Sequence, residues 1–242
     1  MQPHKKCTVL KVAIHQPNFL PWMGYFYKIS MCDTFVFFDD VEYTKRSFIR
    51  RVKIHKPYKF DEDKYLIVPL QKHSDFDYIN ELKLISNSTW QRRIKAQIHQ
   101  SYSKSPYYFQ LESIMDCFFS DSWASDSFSN FSSEIILHVS NMLELDRKWM
   151  FSGDLDIKKH KAEANIEIIK KVGGSEYVSG LGAKKYQTED QYQVQGIELT
   201  YSDYPKHFRN KNLPSHFMNK SVISYLAWYS IEEILELILK PE

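Results

Sequence analysis

Two short polar clusters each follow an apolar run, and they hold the side chains best suited to chemistry. His15 and Gln16 follow Val12-Ala13-Ile14; Asp39 and Asp40 follow Phe35-Val36-Phe37-Phe38. An imidazole at the end of a strand can accept a proton at neutral pH, since its unperturbed pKa is near 6.5. Gln16 and Asn18 carry amides that can hold a sugar hydroxyl or stabilise an oxyanion. They can equally satisfy the backbone around Pro17. One carboxylate of the Asp39-Asp40 doublet can orient the His15 ring, as in a catalytic triad. Adjacent residues on a strand point to opposite faces, so the doublet is a poor metal pair and at most one member faces the pocket. The plainer alternative is a His15 that only fixes its loop, beside an ordinary polar strand end.

Anion binding has two candidate sources. Residues 44–59 hold seven Lys and Arg and no acid. Lys45, Arg46, Arg50, Arg51 and Lys53 can grip the diphosphate of a nucleotide sugar. They can also dock an acidic acyl-carrier protein or the backbone of a charged transfer RNA. Seven cations with no acid among them repel one another, so an anionic partner is expected. Ser179-Gly180-Leu181-Gly182 resembles a phosphate-holding turn that leads into a helix. It is too short for a P-loop and lacks the dinucleotide fingerprint. Ser179 has no Gly-x-Ser-x-Gly elbow around it. His207 and His216 fall in an irregular stretch, 202–216, that is expected to cover the pocket. Two isolated His do not make a metal site, and none is predicted.

The elements that must position these groups follow from periodicity. Residues 8–14 read as a strand. Pro21 suits the start of a helix to about Met31, with Trp22, Phe26 and Ile29 on one face. The run 34–38, apolar at every position after Thr34, reads as a strand covered on both sides. Further strands are predicted at about 48–55, 64–69, 79–85, 177–178 and 197–201. Helices are predicted from Trp90 to about Tyr102, after Pro106, through Phe128 to Met142, and from Lys161 to Val172, where Gly173-Gly174 stops the last one. Another helix starts at Ala183, and two short ones close the chain. This is an α/β pattern with a mixed or parallel sheet and one domain over residues 1–242, carrying a helical insertion at about 88–150. In such sheets ligands lie beyond the carboxyl ends of the strands, which is where His15, Gln16, Asp39 and Asp40 stand.

Bulk properties narrow the class. The 242 residues suit one large domain or two small ones. No apolar stretch is long enough to span a bilayer. The start, MQPHKKC, lacks the apolar block of a signal peptide, so a cytoplasmic protein is expected. Cys7, Cys32 and Cys117 are far apart and form neither a zinc nor a disulfide pattern. Cys32 reads as a small buried hydrophobe. The net charge of +2 does not by itself argue for nucleic acid. Sixteen Tyr and sixteen Phe against seven Gly suggest an aromatic-lined interior. Such rings can also line a sugar or base pocket.

The stretch His15-Gln16-Pro17-Asn18-Phe19-Leu20-Pro21-Trp22-Met23-Gly24-Tyr25-Phe26 resembles the opening signature of the WbqC-like family. The likeness continues through Cys32-Asp33-Thr34-Phe35, Asp39-Asp40-Val41, Ser47 to Ile54, Trp90, Tyr102 to Tyr107, Tyr177 to Ala183 and Tyr204-Pro205. It departs at Ile49-Arg50-Arg51-Val52, where an Asn-Arg-Asn run is usual and only Arg51 matches. It departs again at Lys206, where Gln is common, and at Ser224, where an Asp is usual. The resemblance implies a role in bacterial surface-polysaccharide synthesis, especially O-antigen. It also implies transfer of glycine or a related acyl group onto the amine of a nucleotide-linked sugar. His15 would be the base, aided by Asp39 or Asp40. Gln16, Asn18, Trp22, Arg46, Arg51, Lys53, Tyr177, Ser179, Gly180 and Tyr204 would bind substrate. No cofactor is expected to be bound. The acyl donor is left open among a coenzyme A or carrier-protein thioester, an aminoacyl-tRNA and an ATP-activated acid. A glycosyltransferase or another nucleotide-sugar enzyme, and a non-catalytic module of a polysaccharide assembly complex, are the alternatives.

Overall fold

A computed structural model describes residues 9–44, 47–74, 76–87, 89–119 and 126–239. In chain order the first elements are β1 (Lys11–His15), α1 (Met23–Ser30), β2 (Thr34–Phe37), β3 (Arg51–Lys56) and β4 (Lys59–Ile67). Then come α2 (Thr89–Tyr102), α3 (Phe109–Phe118), α4 (Phe128–Met142), β5 (Lys148–Phe151) and α5 (Lys161–Lys171). The chain continues with β6 (Glu176–Gly180), α6 (Glu189–Gln193), β7 (Glu198–Ser202), α7 (Tyr204–Asn210), α8 (Val222–Trp228) and α9 (Ile231–Leu239).

Five strands form one parallel sheet in the order β5-β2-β1-β6-β7. The chain winds outward from β1 in one direction and from β6 in the other, so the order reverses between these two strands. In open α/β sheets ligands bind in the crevice at such a reversal. Both faces of the sheet are covered, as the unbroken apolar character of β2 requires. Ala13, Phe35, Phe37 and Val178 face α1 and the large helical layer. Val12, Ile14, Val36 and Tyr177 face Ile168 and Ile169 of α5 and Tyr192 of α6.

The α/β class with helical elements matches the sequence reading, but several local elements differ. β3 and β4 form a separate antiparallel hairpin, not part of the main sheet. Pro57 opens its turn, and Tyr58 completes it in the left-handed region at φ 61°. β4 therefore begins at Lys59, before the strand predicted at 64–69. The strand expected at 79–85 is a 3-10 turn over Ile79–Glu81 followed by isolated bridges. Its alternation reflects packing of Ile79, Leu82 and Leu84 against the core. β5 lies inside the expected helical insertion. Its short run, Lys-Trp-Met-Phe, carries too little pattern to be seen alone. A 3-10 turn, Leu181–Lys185, replaces the helix expected from Ala183. The stretch 202–216, read as irregular, contains α7. Ser127 caps α4 by accepting from the Asn130 amide. Lys45, Arg46, Cys7 and Ser88 lie outside the described residues.

Candidate functional site

The loop after β1 is held from three sides. The Phe19 amide donates to the Ile49 carbonyl at 2.7 Å, and the Val222 amide donates to the Pro21 carbonyl at 2.8 Å. Ser221 Oγ donates to the Leu20 carbonyl at 2.7 Å. Leu20 is buried at φ 41°, a left-handed conformation uncommon for a residue with a side chain. The neighbouring bonds supply the support that such a strained position needs.

β1 and β6 part at their carboxyl ends. Their register stops at Ala13–Val178, whereas β1 stays paired with β2 to His15–Phe37 and β6 with β7 to Gly180–Ser202. His15 therefore stands where the crevice opens. Its ring lies 5.6 Å from that of Trp22, edge-on, and 4.7 Å from that of Tyr25. Burial lowers its pKa well below the usual imidazole range, and the nearby Lys28 ammonium lowers it further. His15 is thus neutral at physiological pH, the form that can accept a proton.

The carboxylate doublet does not reach it. Among the described residues no hydrogen bond or ion pair joins His15 to Asp39 or Asp40. Asp39 instead accepts from the Gly153 amide at 3.1 Å and from Ser129 Oγ at 3.2 Å, and its Oδ1 lies 3.3 Å from Ser152 Oγ. Asp40 bonds to the same Ser152 hydroxyl. Asp39 is buried, which pushes its pKa up. The expected orientation of His15 by either Asp is therefore replaced by a clasp. It ties the end of β2 to the turn after β5 and to the start of α4. The serine donors lie in segments far away in sequence, so spacing alone could not reveal them.

A cavity of about 430 Å³ lies between the loop after β1, the start of β3 and the turn before α8. Asn18, Pro21 and Trp22 form one wall; Phe48, Arg51, Val52 and Lys53 form the other, with Asn219 at the rim. Four residues proposed from sequence, Asn18, Trp22, Arg51 and Lys53, are brought together here. His15 stands behind Trp22 and does not line the cavity itself. The Arg51 guanidinium lies between the Phe48 and Tyr65 rings, 5.1 and 5.8 Å from their centroids. Aromatic faces attract a cation at such distances. Asn18 is 6% exposed, and its Oδ1 is buried without a hydrogen-bond partner.

The basic run is less bare than its own composition suggests. Lys53 pairs with Asp63 at 2.6 Å, and buried Lys220 bonds to the same carboxylate. Lys56 and Lys59 both pair with Glu62. Arg50 donates to Tyr43 Oη and to the Val68 carbonyl. Mutual repulsion is thus a weaker argument for an outside anion at Lys53, Lys56 and Lys59, because the acids Asp61-Glu62-Asp63 follow in the partner strand. A hairpin centred on Pro57-Tyr58 was the signal for it.

The other predicted residues lie elsewhere. Ser179 is buried and its Oγ accepts from Gln187 Nε2 at 2.8 Å, while Tyr192 Oη donates to Gln187 Oε1 at 2.8 Å. Tyr177 is buried on the same side of the sheet. Both serve this internal network instead of facing the cavity. Gly180 ends β6 and has open space where a Cβ would lie. Tyr204 is buried and hydrogen-bonded to Tyr225 at 2.8 Å, but it touches the site indirectly, through Gly24. The Gln16 side chain is half-buried, and its carbonyl accepts from Tyr25 Oη at 2.9 Å. Neither His expected to cover the pocket lines it. His207 stacks on Tyr27 and bonds to the Leu237 carbonyl, and His216 packs on His55 and Phe217. Ser224 is buried and bonds to Tyr102 at 2.6 Å. Cys32 is buried as expected, with its thiol pushed up to about 12 by burial.

The loop after β1, the hairpin and the turn before α8 all fall within one matched region, because the WbqC-like protein family profile matches residues 16–236. The chain belongs to the WbqC-like protein family. The chain is also similar to the uncharacterized protein Rv1507c of Mycobacterium tuberculosis, 25% identical over 203 residues, which are 84% of this chain and 86% of that one. No solved structure matches this WbqC-like chain. Among the described residues no helix is long and apolar enough to cross a membrane, and no group of His, Cys, Asp or Glu is placed to hold a metal ion.

Sequence reasoning missed Phe48, Tyr65 and Asn219 around the cavity, and Lys28 beneath His15. Lys28 is 4% exposed and donates from Nζ to the Ile14 carbonyl at 2.6 Å. Burial pulls its pKa from 10.5 to about 8. Its helical position, one turn after Gly24 and three residues after Tyr25, carried the signal: it falls on the inward face of α1 with Tyr25 and Ile29.

Proposed function

We propose that this protein transfers glycine or a related small acyl group onto the amine of a nucleotide-linked sugar in bacterial surface-polysaccharide synthesis. The cavity that joins Trp22 and Asn18 to Arg51 carries this reading. A sugar ring stacks on Trp22, as sugars do on aromatic faces. The diphosphate meets Arg51, whose guanidinium lies near the Phe48 and Tyr65 rings. Asn18 receives a donor from the sugar through its otherwise unbonded oxygen. The amine then lies toward the crevice, where neutral His15 accepts its proton.

In the reaction the amine nitrogen attacks the acyl carbon and the proton passes to His15. The bond from the acyl carbon to its leaving group breaks, and the proton returns to that group. The donor is a coenzyme A or carrier-protein thioester, an aminoacyl-tRNA, or an acid activated with ATP. These leave as a thiol, a tRNA hydroxyl or a phosphate-bearing group respectively. The reaction is placed in the cytoplasm, where nucleotide sugars and these donors are made.

The test is incubation with a panel of nucleotide-linked amino sugars and acyl donors, read by mass spectrometry. The expected result is an acyl mass added to the sugar amine. Release of nucleoside diphosphate, with the amine unmodified, would instead assign glycosyl transfer. Tight binding with no change in any substrate would assign a non-catalytic module.

A further inference from the structure

The residue before His15 and the residue after it have their carbonyls held by the same helix. Lys28 Nζ donates to the Ile14 carbonyl at 2.6 Å, and Tyr25 Oη donates to the Gln16 carbonyl at 2.9 Å. The His15 carbonyl itself accepts from the Phe38 amide at 2.8 Å. Three consecutive carbonyls at the end of β1 are thus fixed, two of them by side chains one helical turn apart on α1. Ile14 lies just past the last residue of β1 paired with β6, so Lys28 occupies the place where the ladder has ended.

A buried ammonium is costly unless a counter-charge or a function accompanies it. Among the described residues no carboxylate pairs with Lys28. The titratable groups around it are His15 on β1, Tyr25 on α1 and Cys32 just beyond α1. Arg147 and Asp33 act on Cys32. The helices packed on α1 meet it through other residues: Tyr27 stacks on His207 of α7, and Ser30 bonds to the Ile238 carbonyl of α9. A methionine would fill the same space without the cost of desolvating a charge. The ammonium therefore calls for an explanation beyond packing.

We propose that Lys28 and Tyr25 are positioning residues for His15, holding the backbone on both sides of it, and that the Lys28 ammonium adds to burial in disfavouring a proton on the imidazole. The proposal rests on the reading of His15 as the base, and it explains how that base remains available in mildly acidic conditions. A like charge nearby disfavours a second proton on the ring, and burial strengthens the effect because little solvent screens it. Tyr25 adds a ring contact to its hydrogen bond, so the imidazole cannot swing without breaking one of them.

The experiment is an NMR titration of the histidine ring signals of the full chain, with His15 assigned by its absence from His15→Asn. Lys28→Met removes the charge and the bond to Ile14. Lys28→Gln removes the charge but retains an N–H donor. In the wild type, His15 should remain neutral well below the pH at which exposed histidines titrate. In both variants its titration should move upward, while burial still holds it below the ordinary imidazole range. Tyr25→Phe, which leaves Lys28 in place, should move it less than either. If Lys28→Met fails to fold, Lys28→Gln alone decides the matter. An unchanged His15 titration in a folded Lys28 variant overturns the proposal. The readout requires no turnover. A His15→Asn enzyme that remained active would remove the base reading without altering this result.

Discussion

Gly24 offers a prediction whose size can be worked from distances. It lies in the first turn of α1, where a Cβ would stand 2.5 Å from Trp22 Nε1 and 2.9 Å from Tyr204 Cδ1. Ordinary contact begins at about 3.5 Å, so Gly24→Ala must drive the indole or the Tyr204 ring back by roughly 1 Å. Tyr204 is buried and anchored to Tyr225, while Trp22 borders the cavity, so Trp22 is the side chain that moves. Overpacking of this kind costs about 1–3 kcal/mol. Replacing Gly by Ala inside a helix returns about 1 kcal/mol. The net destabilisation should be about 0–2 kcal/mol, or a few degrees in Tm for a chain of this size. Binding should suffer far more, because the displaced indole is the cavity wall. A shift of about 1 Å in a substrate-positioning group can reduce activity roughly a hundredfold. Thermal melting and calorimetric titration with a nucleotide-linked amino sugar measure the two effects on one sample. Affinity within twofold of wild type, in a variant that melts normally, would refute the assignment of Trp22 to the binding wall.

Three further outcomes follow from the same geometry. Arg51→Met keeps an apolar side chain between Phe48 and Tyr65 but removes the charge. It should weaken nucleotide-sugar binding by about 1.5–3 kcal/mol, as measured by calorimetry, and should flatten its salt dependence. Asp39→Ala orphans the Gly153 amide and the Ser129 hydroxyl, while Ser152 keeps its bond to Asp40, and should cost about 2–3 kcal/mol in denaturant unfolding. Lys28 gives a pH signature. Its folded pKa of about 8 lies below its ordinary 10.5, so the unfolded chain binds more protons between these values. Stability should therefore rise with pH across that window, by at most about 3 kcal/mol, and Lys28→Met should remove this rise from urea titrations at pH 7.5 and 10.

The sequence made the members of the candidate site more legible than their contacts. The strand–loop–helix–strand reading of residues 11–38 was legible because β1 and β2 carry apolar runs, Val12-Ala13-Ile14 and Phe35-Val36-Phe37, and Pro21 precedes the helix. The crevice position of His15 followed from that pattern together with the rule for open sheets. Asn18, Trp22, Arg51 and Lys53 were legible as candidates by residue type and by family resemblance. Their meeting in one cavity was not, because it depends on the hairpin folding back across the loop. The internal roles of Asp39 and Ser179 were hidden for a related reason. Their partners, Ser152, Gly153 and Gln187, come from neighbouring strands or loops whose placement only the sheet order determines. β5 escaped notice because four residues with no alternation carry little signal next to a long helical stretch.

Base catalysis by His15 is best tested by single-turnover acyl transfer in the His15→Asn variant at saturating acceptor, with acceptor affinity measured on the same preparation. Loss of a general base predicts a rate lower by roughly 10²–10⁴, with affinity changed no more than a few fold. Transfer at close to the wild-type rate, by a folded variant that still binds acceptor, would contradict the assignment of His15 as the base.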